Sequence, residues 1–316
     1  MQKTSIEWTD YSCSLLKWRE IATGKTVWHC ARVSPGCEHC YSETLAHRYG
    51  KGGRFAAQDD RLYEPFVDEK EVAALLRLNA KQPGVKVFLN DMTDTFHRSV
   101  TDELLDRMFA TMEDCSGLIF QVLTKRPERM LDYISPDNPR YTARRVFDIT
   151  QGTHGKFDCD IYWPLPNVWL GVSAEDQQRA DERIPLLLQT PAAVRFVSYE
   201  PAIGGVDFTS IDLGAWVLNA LTPASPADIW RAAWDPAITG ESLADSIEGF
   251  EDDGHIYPPG EQRPPGLDWV IVGGESGPGA RPFDLEWARQ TVQQCREAGV
   301  ACFVKQMGSH VVHAKR

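Results

Sequence analysis

The chain of 316 residues has no apolar run near the ~18 residues that cross a bilayer, which excludes a membrane-spanning helix. It also has no surplus of positive charge. Lysine and arginine number 33 against 45 aspartates and glutamates, a formal net charge of −12. That balance excludes a protein that coats nucleic acid or an anionic membrane by charge alone, and leaves room for a local basic site. Met1 to Asp10 reads MQKTSIEWTD, with no apolar core of an export signal. The expected location is therefore the cytoplasm, where thiols stay reduced. No internal repeat is visible. Hydrophobic residues at 42% and charged residues at 25% match an ordinary globular protein long enough to bury a core without disulfides. The eight cysteines are accordingly expected as buried thiols or metal ligands.

Short apolar runs alternate with helical periodicity. Val85 to Asn90, Gly117 to Lys125, Asn167 to Ser173, Val194 to Glu200, Trp269 to Glu275 and Cys302 to Gln306 read as buried strands. Between them, Thr101 to Asp114 repeats Leu104, Leu105, Met108, Phe109 and Met112 at helical spacing, and Asp284 to Ala298 does the same before Gly299. Strand and helix in alternation imply parallel pairing with helical crossovers, in an open doubly wound sheet or a partial or complete (β/α) barrel. Either architecture collects function at the carboxyl ends of its strands. Those ends carry Asn90, Asp91, Thr124, Lys125, Ser173, Glu200, Glu275, Lys305 and Gln306.

Residues 205–268 break the rhythm. They carry 12 acidic residues against Arg231 and Arg263, together with the Pro258-Pro259-Gly260 and Pro264-Pro265-Gly266 turns. Their net −10 leaves only −2 for the rest of the chain, so the remainder is close to neutral. The expected organisation is a barrel begun by 1–204, interrupted by an acidic insertion over 205–268 and completed by a βαβ unit over 269–316.

Three cysteines crowd into eleven residues: Cys30-x6-Cys37-x2-Cys40, with Ser34-Pro35-Gly36 forcing a turn between them. Three thiolates on one loop suit three corners of a cubane iron–sulfur cluster, leaving the fourth iron for a non-protein ligand. A structural zinc site, completed by His29, His39, His47 or Cys13, is the competing reading. Cys115, Cys295 and Cys302 sit in apolar elements and are expected as core thiols.

Several blocks occur in a telling order. They are Ser5-Ile-Glu-Trp-Thr-Asp10, Val33-Ser-Pro-Gly-Cys-x-x-Cys-Tyr41, Phe120 to Met130 (FQVLTKRPERM), Asn167 to Ser173, Arg195 to Pro201 (RFVSYEP), Asp268 to Pro282 and Phe303 to Gly308. Together they resemble a phage-associated family with a three-cysteine motif, related to the radical S-adenosylmethionine (SAM) enzymes. The resemblance implies a (β/α) barrel of the radical SAM type, a [4Fe-4S] cluster on Cys30, Cys37 and Cys40, SAM on the fourth iron and an external electron donor. It also implies the host cytoplasm for a phage-encoded chain. Some relatives belong to pathways that hypermodify thymine in phage DNA, where a radical SAM isomerase moves a glycyl adduct from nitrogen to carbon. Three features depart from the usual pattern: six residues rather than three between the first two cysteines, the long stretch from Tyr11 to Trp28, and a Gly273-Gly-Glu275 element late in the chain.

Under that resemblance, Tyr41 shields the cluster and flanks the adenine. Lys125 or Arg126 takes the SAM carboxylate. Asn90, Asp91, Ser173 and Glu200 are candidate acceptors for its amine and diol. Glu275, with Lys305 or Arg281, is expected to pair the amine and carboxylate of a glycyl adduct, so Lys125, Glu275 and Lys305 are the candidate reactive-site residues. A DNA substrate needs a local positive surface, for which Lys17, Arg19, Lys25, Arg126, Arg129 and Arg140 to Arg145 are the candidates. A small nucleoside or amino-acid substrate needs none. A non-catalytic zinc-binding adaptor, or a partner protein for a neighbouring methyltransferase, is the alternative from another class.

Overall fold

The computed structural model describes residues 1–52, 55, 59–135, 145–146, 149–150, 163–214, 217–222 and 266–313. Eight strands form the main sheet: β1 (Gln2–Lys3), β2 (Tyr11–Cys13), β3 (Lys86–Leu89), β4 (Ile119–Thr124), β5 (Val168–Ser173), β6 (Val194–Tyr199), β7 (Trp269–Gly273) and β8 (Ala301–Gln306). They lie side by side in chain order. Only the β1–β2 pair is antiparallel; every later neighbour is parallel.

This order decides between the two expected architectures. A doubly wound sheet reverses its strand order to place helices on both faces. Here it never reverses, so right-handed crossovers bring the helices to one face and the sheet curls around the other. The result is a half-barrel. The helices are α1 (Tyr41–Arg48), α2 (Glu69–Lys81), α3 (Asp102–Asp114), α4 (Pro127–Ile134), α5 (Gln177–Gln189) and α6 (Leu285–Ala298). Their starts are chemically marked. Asp68, Asp176 and Asp284 cap α2, α5 and α6 by accepting backbone N–H groups of Lys70, Arg179 and Glu286. Gly299 ends α6 at φ 70°, where a residue with Cβ would be strained.

Period-two alternation divides the core. Val87 and Leu89, Val197 and Tyr199, and Val270 and Val272 face the helices, where Leu105, Met108, Phe109 and Met112 of α3 join them in one large buried cluster. Each such side chain contributes about 1.5–3 kcal/mol by leaving water. The alternate residues Phe88, Phe196 and Ile271 turn to the concave face and pack with Trp8 in a second, smaller cluster. Gly171 belongs to that face. A Cβ there would lie 2.5 Å from the Phe196 ring. Gly171→Ala is expected to destabilise the fold by about 1–3 kcal/mol, read from the urea midpoint; an unchanged midpoint would contradict this packing.

Two regions carry structure beyond the alternating units. In the long stretch from Tyr11 to Trp28, Leu16–Glu20 pairs antiparallel with Thr26–Val27 and with Tyr63–Val67 in a small separate sheet. The described start of the acidic block also belongs to the main body, since Val206, Phe208, Ile211 and Leu218 are buried in the large core. Residues 223–265 of that block lie outside the described residues. No helix among the described residues is long and apolar enough to cross a membrane.

Candidate functional site

A cavity of about 370 Å³ opens at the carboxyl ends of the strands. Its floor is apolar, with Trp8, Phe88 and Leu123, and its rim is polar. The cysteine loop covers one side. Cys30, Cys37, Cys40 and Tyr41 line the cavity together with Asn90, Asp91, Lys125, Ser173, Glu200, Glu275 and Lys305. The three cysteines and these strand-end candidates therefore meet in one place, including pairs more than 260 positions apart.

The loop reaches this position through local chemistry. Pro35–Cys37 forms a single tight turn in which Cys37 N donates to Ser34 O at 2.9 Å. Cys40 is the N-cap of α1, at the positive end of the helix, where an anionic ligand is favoured. Arg126 reaches across from the end of β4 and donates to Ala31 O at 2.8 Å and to Asp94 Oδ2 at 2.7 Å. Burial pushes the Cys30 thiol up to about 12, against the opposing pull of Arg126. Burial also pushes the Asp94 carboxyl up, but Arg126 and the Thr124 hydroxyl outweigh it and hold the group below its ordinary value.

Several candidate residues already have partners within the chain. Glu275 lines the cavity beside Arg281 and His39. Its carboxylate accepts from Arg281 Nη2 at 2.6 Å and Nε at 3.0 Å, and lies 2.9 Å from His39 Nδ1. Arg281 in turn donates to Pro35 O at 2.9 Å. Glu275 and Arg281 thus pair with each other and latch the cysteine loop to β7. Asn90 is committed to the fold: its Oδ1 accepts from Leu16 N at 2.8 Å and its amide donates to Thr95 Oγ1 at 3.0 Å. Asp91 uses its backbone carbonyl to accept from Tyr41 OH at 2.5 Å and Ser42 Oγ at 2.9 Å, so Tyr41 is tied to the wall. Lys125 faces Glu175 at 3.4 Å, and Arg126 is taken up by Asp94.

The remaining candidates keep cavity-facing chemistry. Lys305 Nζ donates to both oxygens of Glu200, at 2.8 and 2.9 Å, and Gln306 Nε2 donates to Oε1 at 3.1 Å. Gly273 allows this pair its position, since a Cβ there would press on the Glu200 carboxylate at 3.3 Å. Ser173 and Ser198 are register partners on β5 and β6 and both line the cavity. Ser198 was readable as the residue two before Glu200 on the same strand face. Glu175 gave no such signal, because it lies beyond the strand end and touches the loop only in three dimensions.

The Glu275 latch has a pH signature. Burial raises its carboxyl, but the hydrogen bonds from Arg281 and His39 win and hold it at about 2, below the ordinary 4.5. A depressed folded value contributes stability above the unfolded value and loses it as pH falls. The stability difference between wild type and Glu275→Gln is expected to be constant above about pH 5 and to shrink between 4.5 and 2. Urea midpoints across that range check it; a difference that grows on acidification would contradict it.

Among the described residues, the group of three metal-type donors within 4.8 Å of one another is His29, Asp60 and His97, and the three thiols form no such group. Hydrogen bonding argues against an ion at the histidines. Ser99 N donates to His97 Nδ1 at 3.2 Å, which leaves the ring proton on Nε2 and turns a donor, not a lone pair, toward Asp60. Asp60 meets His29 Nε2 at 2.8 Å and Arg98 Nε at 2.6 Å.

Most residues named for a basic surface have partners of their own. Lys17 pairs with Asp68 and Glu71, Arg19 with Glu64, Arg129 with Asp102 and Arg145 with Asp106. Lys25 donates to Gly50 O. Arg140 and Arg144 lie outside the described residues.

A family model described as protein of unknown function (DUF5131) matches residues 3–316. The chain belongs to the DUF5131 family. Comparison with curated proteins and with solved structures found no match. The half-barrel and its thiol-lined cavity are thus features of a DUF5131 chain read from its own residues.

Proposed function

We propose that this DUF5131 chain is a radical SAM enzyme, with a [4Fe-4S] cluster on Cys30, Cys37 and Cys40 and its substrate in the cavity beneath. The observation that carries the proposal is the convergence of three thiols from one loop on a polar cavity at the strand ends of a half-barrel. The donor chemistry suits the group: a cubane takes each thiolate on a separate iron, and Cys30, Cys37 and Cys40 of one loop all line the cavity. Reduced, with SAM on its fourth iron, such a cluster supplies one-electron cleavage of SAM and a radical that abstracts hydrogen from substrate.

The chain's own groups do the rest. Arg126 and Arg281 donate to carbonyls of the loop and hold its start at Ala31 and its turn at Pro35. The Glu200–Lys305 pair and the Ser173 and Ser198 hydroxyls offer charge and hydrogen bonds to bound SAM and substrate, above a floor that excludes water. The cavity's size and the carboxylate partners of the nearby cations favour a small substrate, of the nucleoside or amino-acid class, over DNA itself. A glycyl-modified thymidine reaching the enzyme as a nucleoside fits that class. Substrate affinity is then expected to change less than about tenfold between 50 and 200 mM salt; a fall of about 10³ would mean phosphate contacts and overturn the small-substrate reading. Anaerobically purified protein tests the cluster itself. It should be brown, absorb broadly near ~400 nm and hold about four iron and four sulfide per chain. Colourless protein with one tightly bound zinc would sink the proposal and favour the adaptor.

A further inference from the structure

The cysteine loop is held from two sides, and the second holder is not part of the cavity wall. Glu175, just beyond β5, has no exposed surface. Its Oε1 accepts from Ser34 Oγ at 2.6 Å and faces Lys125 Nζ at 3.4 Å. Its Oε2 accepts from Arg183 Nη1 at 3.0 Å, and the same nitrogen donates to Ser173 O at 2.7 Å. Gly36 makes room for it: a Cβ there would sit 2.3 Å from Glu175 Cγ, an impossible contact. Ser34 passes the constraint on. Its carbonyl accepts from Cys37 N at 2.9 Å, and its hydroxyl oxygen lies 3.9 Å from Cys37 Sγ.

Burying a carboxylate with two cations is a poor way to stabilise a fold, because apolar side chains of the same size often do better. What the charge adds is direction. An ionised carboxylate fixes the hydroxyl, the guanidinium and the ammonium in one arrangement, and that arrangement sets the height of the loop above the strand ends. We propose that Glu175 is a positioning residue of the cysteine loop, acting on Cys37 through the Ser34 hydroxyl. The meaning of that role rests on the loop being ligand-bearing, whereas its geometry does not.

Hydrogen exchange on the metal-free full chain, followed by mass spectrometry, reads the geometry directly. Ser34→Ala removes the hydroxyl. Glu175→Gln keeps the volume but leaves one acceptor oxygen for three donors. Each is expected to speed exchange of residues 34–40 by about tenfold or more, the value of one charge-assisted hydrogen bond. The double variant should exchange no faster than Glu175→Gln alone. Ser34→Thr, which keeps the hydroxyl, should remain at the wild-type rate. Iron retained per chain after anaerobic reconstitution should fall in Ser34→Ala and Glu175→Gln and be held in Ser34→Thr. Wild-type exchange in both loss variants, or Ser34→Thr exchanging as fast as Ser34→Ala, overturns the proposal. A wild-type chain that retained no iron would instead count against the cluster, and the exchange comparison would still decide the role of Glu175.

Discussion

Cys37→Ala is expected to reduce iron from about four per chain to near none in anaerobically purified protein, with Cys30→Ala and Cys40→Ala doing the same. Groups that act as a unit fail as a unit, so each single variant should lose nearly as much as the triple variant. The controls are specific. Cys13, Cys115 and Cys295 are buried elsewhere in the large core. Their alanine variants should lose stability, by the cavity left behind, and keep full iron. A chain that retained iron in Cys37→Ala, or lost it in Cys115→Ala without unfolding, would contradict the assignment of the loop. Elemental analysis with the visible spectrum makes the measurement.

Lys305→Ala and Glu200→Gln are expected to lower turnover by about 10²-fold at unchanged iron content, the usual scale for losing one oriented polar partner in a closed site. The two residues hold each other at 2.8 Å in the cavity wall, whereas the cysteine loop is held by Arg126 and Arg281. Altering them is therefore expected to leave the thiols in place. Glu275→Ala should behave in the opposite way, losing iron first, because its carboxylate serves Arg281 and His39. Parallel measurement of iron and turnover in the three variants separates the roles. Full turnover in Lys305→Ala and Glu200→Gln would remove the pair from the site.

Much of this was legible in the sequence for a physical reason. Strand ends in a parallel sheet are fixed by where an apolar run stops, so Asn90, Lys125, Ser173, Glu200 and Glu275 were bound to share a rim once the runs were read. The thiol spacing and its Ser-Pro-Gly turn are likewise local. Strand order was not legible, because alternation of strand and helix suits both a doubly wound sheet and a barrel; only the pairing of neighbours in chain order separates them. Side-chain commitments were hidden for the same reason. Nothing in the neighbourhood of Glu275 announces that Arg281, six residues on, turns back to hold it, or that Glu175 meets Ser34 across 141 positions. The partners of Lys17 and Arg19 were hidden in the same way, because Glu64 and Asp68 reach them from the distant Tyr63–Val67 strand and the residue after it.

The most direct test of the central claim is incubation of the reconstituted, reduced chain with SAM and no substrate, followed by chromatography for 5′-deoxyadenosine. The account predicts slow but accumulating 5′-deoxyadenosine and methionine in equal amounts, absent in Cys37→Ala. Iron-loaded wild-type protein that left SAM intact under strong reductant would contradict it.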